Sequence, residues 1–206
     1  MLYKKENTRN GKRYIFHIHI PRTAGRYIKN IFLVNDWSAK FGNFNIIRDG
    51  IEVPHFHYPG YNNLYKVKDA DHFTVVRDPF ERFKSALQVM IKVQDASLTV
   101  YEKIKDKEFL FRFLSHNNYH KNHFRKQSDF ISPKTHVYKF EDGLGLEFID
   151  WINDKLDVDL HRVEYKYEIF HTHSKLEGLP NKAEIDPIVE DHIREFYQED
   201  YENFKY

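Results

Sequence analysis

Residues 14–32 read YIFHIHIPRTAGRYIKNIF, and the order of apolar and polar positions in that stretch decides the architecture. From Tyr14 to Ile20 the pattern has period two, with Phe16, Ile18 and Ile20 on one face and His17 and His19 on the other, which predicts a β-strand. Pro21 ends it. Beyond a short basic loop holding one glycine, Ile28, Ile31 and Phe32 recur at helical spacing, so a helix is expected to follow.

The same order returns twice. HFTVVRD (72–78) is a compact β-branched run closed by Asp78-Pro79, and PFERFKSALQVMIKV (79–93) follows with Phe80, Phe83, Leu87, Met90 and Ile91 in a helical stripe, Pro79 suiting the first turn. THVYKFED (135–142) reads as a strand and leads into LEFIDWINDKL (146–156), whose Phe148, Trp151, Ile152 and Leu156 form an apolar face. Between these units, residues 41–61 carry the Gly, Asn, Asp and Pro punctuation of short strands and loops. DKEFLFRFLSH (106–116) is helical, residues 117–127 are irregular, and residues 157–183 are polar and loop-rich. Residues 184–204 form a helix with Ile188, Val189, Ile193, Phe196 and Tyr197 turned inward. No repeat or linker divides the chain, and one domain over 1–206 is expected. Strands alternating with helices predict an α/β fold, a central parallel sheet with flanking helices and ligands at the carboxyl ends of the strands.

Composition narrows the function classes. The 206 residues carry 32 Lys+Arg against 31 Asp+Glu, a formal net charge of +1, so no global field points to a nucleic-acid polymer or an anionic membrane as partner. Any anion site must be local. The absence of cysteine excludes disulfides and thiolate metal sites, and the polar, basic N-terminus resembles no signal peptide. No apolar run reaches the length of a membrane helix. A cytoplasmic location is the expectation. Aromatics at 17% and thirteen histidines stand out.

The loop PRTAGR (21–26) lies where the N–H groups of a helix N-terminus point outward and the helix dipole favours negative charge. Gly25 would let backbone approach a ligand, Thr23 offers a hydroxyl, and Arg22 and Arg26 supply fixed charge able to grip phosphate or sulfate oxygens in bidentate fashion. The bland alternative is an ordinary turn with two solvated arginines. The ATP-type loop, Gly, four residues, then Gly-Lys-Ser/Thr, is absent. A second strand end carries Arg77, with Ser85 two turns into the following helix.

With both elements quoted, the chain resembles the PAPS-dependent sulfotransferases, particularly the carbohydrate branch that includes heparan sulfate 2-O-sulfotransferases. In that family a Pro-Lys-Thr-Gly-Gly-Thr-Ser type of loop binds the 5′-phosphosulfate, and a later Arg with a Ser eight positions on binds the 3′-phosphate. The resemblance carries the first role onto Arg22, Thr23, Ala24, Gly25, Arg26 and Tyr27, and the second onto Arg77 and Ser85, including the intervening Asp-Pro-Phe-Glu-Arg. HFRKQSDFI (123–131), VYKFED (137–142) and the tail IREFYQEDYENFKY (193–206) are also similar to segments of that branch. Arg22 replaces the family's usual Lys, Ala24 a common Gly, and Arg26 a usual Thr or Ser. The resemblance implies the nucleotide-kinase-like sulfotransferase fold, PAPS as co-substrate, PAP as product, no metal, and a hydroxyl acceptor, a carbohydrate above all.

Sulfonyl transfer needs in-line placement, neutralisation of the leaving phosphate and a base for the acceptor proton. The resembling branch carries its base in a His-x-His between the two phosphate elements, which here matches His55 and His57; His57 is the first choice and His55 its rival. Histidine suits the role because its ordinary pKa near 6.5 leaves it largely neutral. The His-x-His pairs at 17/19 and 171/173 have metal-ligand spacing, but packing beneath the loop is the preferred reading of His17 and His19. His116, His120 and His123 line the acceptor cleft or lie on the surface, Lys121, Arg125, Lys126 and Gln127 bind an anionic acceptor or the nucleotide or form a solvated charged face, and the rings of Tyr58 and Tyr61 are candidates for acceptor contact. A degenerate kinase and a nucleotide-binding module without turnover are the competing functions.

Overall fold

The structure is a computed structural model that describes residues 1–8, 11–42, 47–48, 51–64, 66–94, 99–115, 122–161 and 185–206. Its centre is a five-stranded sheet in the order β3-β1-β2-β6-β7, built from β1 (Leu2–Thr8), β2 (Gly11–Ile18), β3 (Ser38–Lys40), β6 (Asp71–Val76) and β7 (Thr135–Lys139); β4 (Ile47–Arg48) pairs with β5 (Ile51–Glu52) apart from it. The expected parallel sheet is present as β2-β6-β7, with Phe16 opposite His72 and Thr74 opposite Val137. The sheet as a whole is mixed. β1 runs antiparallel to β2 and β3 antiparallel to β1, with Leu2 facing Phe16 and Tyr3 facing Ala39. The polar run Lys4-Lys5-Glu6 conceals this hairpin in the sequence.

Each parallel strand feeds a helix: β2 leads to α1 (Gly25–Val34), β6 to α2 (Pro79–Gln94) and β7 to α5 (Leu146–Leu156). One face of the sheet, through Tyr3, Ile15, Phe73 and Val75, packs on Ile28, Ile31 and Phe32 of α1 and on Phe148, Ile152 and Leu156 of α5. The opposite face, through Phe16, Ile18 and Val76, is covered by Tyr61, Leu64, Val67 and Phe130, which belong to turns and 3-10 segments and not to a long helix. Burial on both faces is the arrangement that parallel strands require.

A second apolar cluster joins α2 through Phe83, Leu87 and Met90 to Leu110 and Leu114 of α4 (Lys107–Ser115) and to Val189 and Ile193 of α6 (Pro187–Phe196). A short α3 (Thr99–Lys103) precedes α4. The tail is two helices, because the chain breaks at Tyr197 before α7 (Gln198–Phe204). Asp186 caps α6 by accepting from the Ile188 N–H, and Pro187 occupies its first turn. Ile188 was expected inside; it is 49% exposed, being on the solvent side of that turn. No helix among the described residues is long and apolar enough to cross a membrane.

Candidate functional site

Between the end of β2 and the start of α1 the backbone twice enters the left-handed region, at Arg22 (φ 73°) and Ala24 (φ 65°). Such reversals turn successive N–H groups toward a common centre, and α1 then begins with no side-chain cap and no acidic residue in its first turn. The helix start is therefore arranged for an external anion. Thr23 does not present its hydroxyl outward as expected; it is buried and donates 2.8 Å to the Ile20 carbonyl, closing the turn. Gly25 has a different reason from the one the sequence suggests. A Cβ there would stand 2.1 Å from Cδ2 and Nε2 of His19, so the glycine makes room for an imidazole.

The second element meets the first directly. Arg77 follows β6, Asp78 caps α2 by accepting from the Glu81 N–H at 2.8 Å, and Ser85 lies two turns along, buried. Arg22 Nε donates to Ser85 Oγ at 3.0 Å, linking loop and helix across 63 residues of sequence. Burial first, then the like charges of Arg77 and Arg26, pulls the Arg22 guanidinium down to about 10. It stays charged at neutral pH. Three guanidinium groups gathered at the carboxyl ends of parallel strands repel one another unless an anion stands among them.

Arg77 also lies over the Phe140 ring at 4.8 Å and 3.8 Å from the Glu81 carboxylate. It borders a cleft of about 400 Å³ lined by Glu81, Phe140, Glu141, Gly143 and Leu144. Tyr27, in the first turn of α1, donates to the Leu144 carbonyl at 3.0 Å and so ties the loop before α1 to the cleft rim. Arg26 is exposed.

Behind the loop runs a file of imidazoles: His17 to His19 at 5.7 Å between ring centres, His19 to His55 at 4.9 Å, His55 to His123 at 5.2 Å. His17 stacks on Phe73, and burial pushes both His17 and His19 well below the ordinary histidine value, so the neutral rings act as packing groups under the loop. Among the described residues no three His, Asp or Glu side chains converge to hold a metal ion. His55 is buried against the file, whereas His57 is half-buried and lies beside Asn122, Nδ2 to Nδ1 3.4 Å. Burial and the Arg125 charge lower the His57 pKa, against the opposing pull of Asp129.

Of the remaining candidates, Tyr58 is exposed, but Tyr61 is fully buried with its hydroxyl on the Phe130 carbonyl at 2.8 Å and offers nothing to an acceptor. Gln127 is committed too: its amide accepts from the Arg77 N–H at 3.0 Å and donates to the Arg77 carbonyl at 2.7 Å. Lys126 pairs with Glu199, and Arg125 with Asp129 and Asn122. His116, His120, Lys121, His171 and His173 lie outside the described residues.

Three residues not singled out in the sequence hold the site in place. Arg82 is fully buried and donates to the carbonyls of His123 (2.9 Å) and Arg125 (2.6 Å), while the Tyr197 hydroxyl takes the intervening Phe124 carbonyl at 2.5 Å. Asp200 accepts from the N–H groups of Gln127 and Ser128 and from the Ser128 hydroxyl. Asn122 bridges His55, His57 and Arg125. Only Arg82 left a trace, because Arg82, Ala86 and Met90 follow at four-residue spacing on the buried side of α2.

Residues 6–206 match the family model described as Sulfotransferase family. No curated protein and no solved structure matches. With the match running from β1 to the last residue, the chain belongs to the sulfotransferase family.

Proposed function

We propose that the chain transfers the sulfonate of PAPS to a hydroxyl of a carbohydrate, acting as one domain over residues 1–206. The phosphosulfate lies against Arg22–Tyr27 and the start of α1, and the 3′-phosphate against Arg77 and Ser85. The acceptor oxygen attacks sulfur in line, the bond from sulfur to the phosphate oxygen breaks, PAP departs with the electron pair, and a histidine of the pair His55 and His57 takes the hydroxyl proton. Arg22 serves the leaving phosphate by charge alone, since a guanidinium at neutral pH keeps its proton.

The observation that carries this reading is the 3.0 Å contact between Arg22 and Ser85, because it brings the two elements that the resemblance assigns to opposite ends of one nucleotide into a single site. The Phe140 ring beneath Arg77 and the open cleft beside it give a flat ligand somewhere to lie. The test is thermal unfolding with PAP, followed by PAP release from PAPS against a panel of oligosaccharides and small alcohols. PAP at 100 times its dissociation constant adds about 2.7 kcal/mol, worth roughly 5 to 10 °C for a chain of this size. Arg77→Ala should remove most of that shift. A midpoint unmoved by saturating PAP would end the proposal.

A further inference from the structure

Asn122 occupies an uncommon position. Its backbone is left-handed (φ 68°), a conformation asparagine tolerates better than other non-glycine residues, and its side chain is 2% exposed. Three contacts define its orientation. Oδ1 accepts from Arg125 Nε at 3.0 Å, a group that can only donate; Nδ2 donates to the His55 carbonyl at 3.0 Å, a group that can only accept. Turning the amide over would break both bonds. The remaining Nδ2 hydrogen is then the one facing His57 Nδ1, at 3.4 Å.

A neutral imidazole has one N–H and one bare nitrogen. With an N–H directed at it, Nδ1 must be the bare one, and the proton of neutral His57 resides on Nε2. A base needs a bare nitrogen for the proton it takes, and the bare nitrogen of His57 already faces a donor. His55, by contrast, stands against His19, the ring that presses on Gly25 of the phosphate loop. We propose that Asn122 is a positioning residue that fixes His57 as its Nε2–H tautomer, so that within the pair His57 donates a hydrogen bond and His55 takes the acceptor's proton. The division of labour rests on the sulfotransferase reading above; the tautomer does not.

The backbone around Asn122 supports a fixed geometry. Arg82 and Tyr197 hold the carbonyls of residues 123, 124 and 125 from behind, and Arg125 reaches back to Asn122 and on to Asp129. Arg125 and Asp129 are also the charges acting on His57, with opposite sign.

Long-range proton–nitrogen spectra of the full chain, labelled at histidine and assigned with His57→Gln, decide the tautomer. His57 should show a protonated Nε2 and a bare Nδ1, and Asn122→Asp, which presents an acceptor to Nδ1, should move the proton to Nδ1. A wild-type His57 protonated on Nδ1 overturns the proposal without any assay of turnover. For the roles, His57→Gln, whose amide can still donate, should lower turnover by about tenfold, whereas His55→Gln should lower it by about two to four orders of magnitude, the size of a lost base, with the PAP-induced thermal shift preserved in both. The reverse pattern overturns the assignment. Absence of any sulfonyl transfer by the wild-type chain would defeat the proposed function and the roles, leaving the tautomer to be judged by the spectra.

Discussion

Gly25 illustrates how a residue can be read rightly as indispensable and wrongly as to cause. In the sequence it is the single glycine of a basic loop, and room for a ligand is the natural explanation; in the fold, the space that a side chain would fill belongs to His19, two ångströms away. Gly25→Ala should therefore destabilise the chain by about 1 to 3 kcal/mol, the usual cost of overpacking. Shortening the intruder should restore most of the loss in His19→Ala/Gly25→Ala, because residues that share one space couple strongly. Equal losses in the single and double variants, measured by denaturant unfolding, would refute the steric account. Arg22 invites a second experiment at this scale. Arg22→Ala should lower turnover by about two to three orders of magnitude, as for a lost transition-state donor. Arg22→Lys retains the charge but not the Nε bond to Ser85, and should fall between wild type and alanine.

At the scale of elements, the three strand–loop–helix units were legible because each is a local pattern: period two, then Pro or Gly, then helical spacing. What escaped was whatever depends on residues far apart in the chain. The polar run Lys4-Lys5-Glu6 hides the hairpin strand β1, and its burial comes from Leu2 in one apolar cluster and Tyr3 in the other, Tyr3 stacking 4.0 Å from Phe32. The irregular stretch from 122 to 130 has no periodicity, yet it is held by α2 at Arg82, by the tail at Tyr197 and Asp200, and by Arg77 through Gln127. Gln127 acts as a surrogate strand for Arg77, matching its N–H and its C=O at once. Gln127→Leu should remove both of these bonds from partly buried backbone groups, at about 1 kcal/mol each. PAP affinity should fall with stability, although residue 127 is not proposed to touch the nucleotide. Unchanged PAP binding in a folded Gln127→Leu chain would show that Arg77 needs no such support.

The whole molecule should respond to acid through its buried imidazoles. His17 and His19 are neutral in the fold, held well below the ordinary value chiefly by burial, while in the unfolded chain they titrate near 6.5. Above pH 6.5 both states carry the neutral rings and stability does not depend on them. Below it the unfolded chain binds protons that the folded chain refuses, so stability must fall with pH, by about 1.4 kcal/mol per unit for each such ring, until the folded rings themselves accept protons. Carboxylates titrate mainly below pH 5. The buried amino terminus, lowered to about 4, and His57 and His72, also lowered by burial, add to the wild-type slope over this window, so the contribution of one ring is read from the difference between wild type and a variant lacking it. His17 is the better probe of the two, because it stacks on Phe73 within the core and neither of its ring nitrogens has a hydrogen-bond partner in the structure. Replacement by an apolar residue of similar volume forfeits no hydrogen bond. In His17→Leu the slope of unfolding free energy against pH over that window should drop by the share of one ring, with stability at pH 7.5 little changed. A wild-type slope of zero between pH 6.5 and 5, or a His17→Leu slope equal to wild type, would mean that the file of histidines beneath the loop before α1 accepts protons as readily folded as unfolded, and the packing role assigned to it would fail.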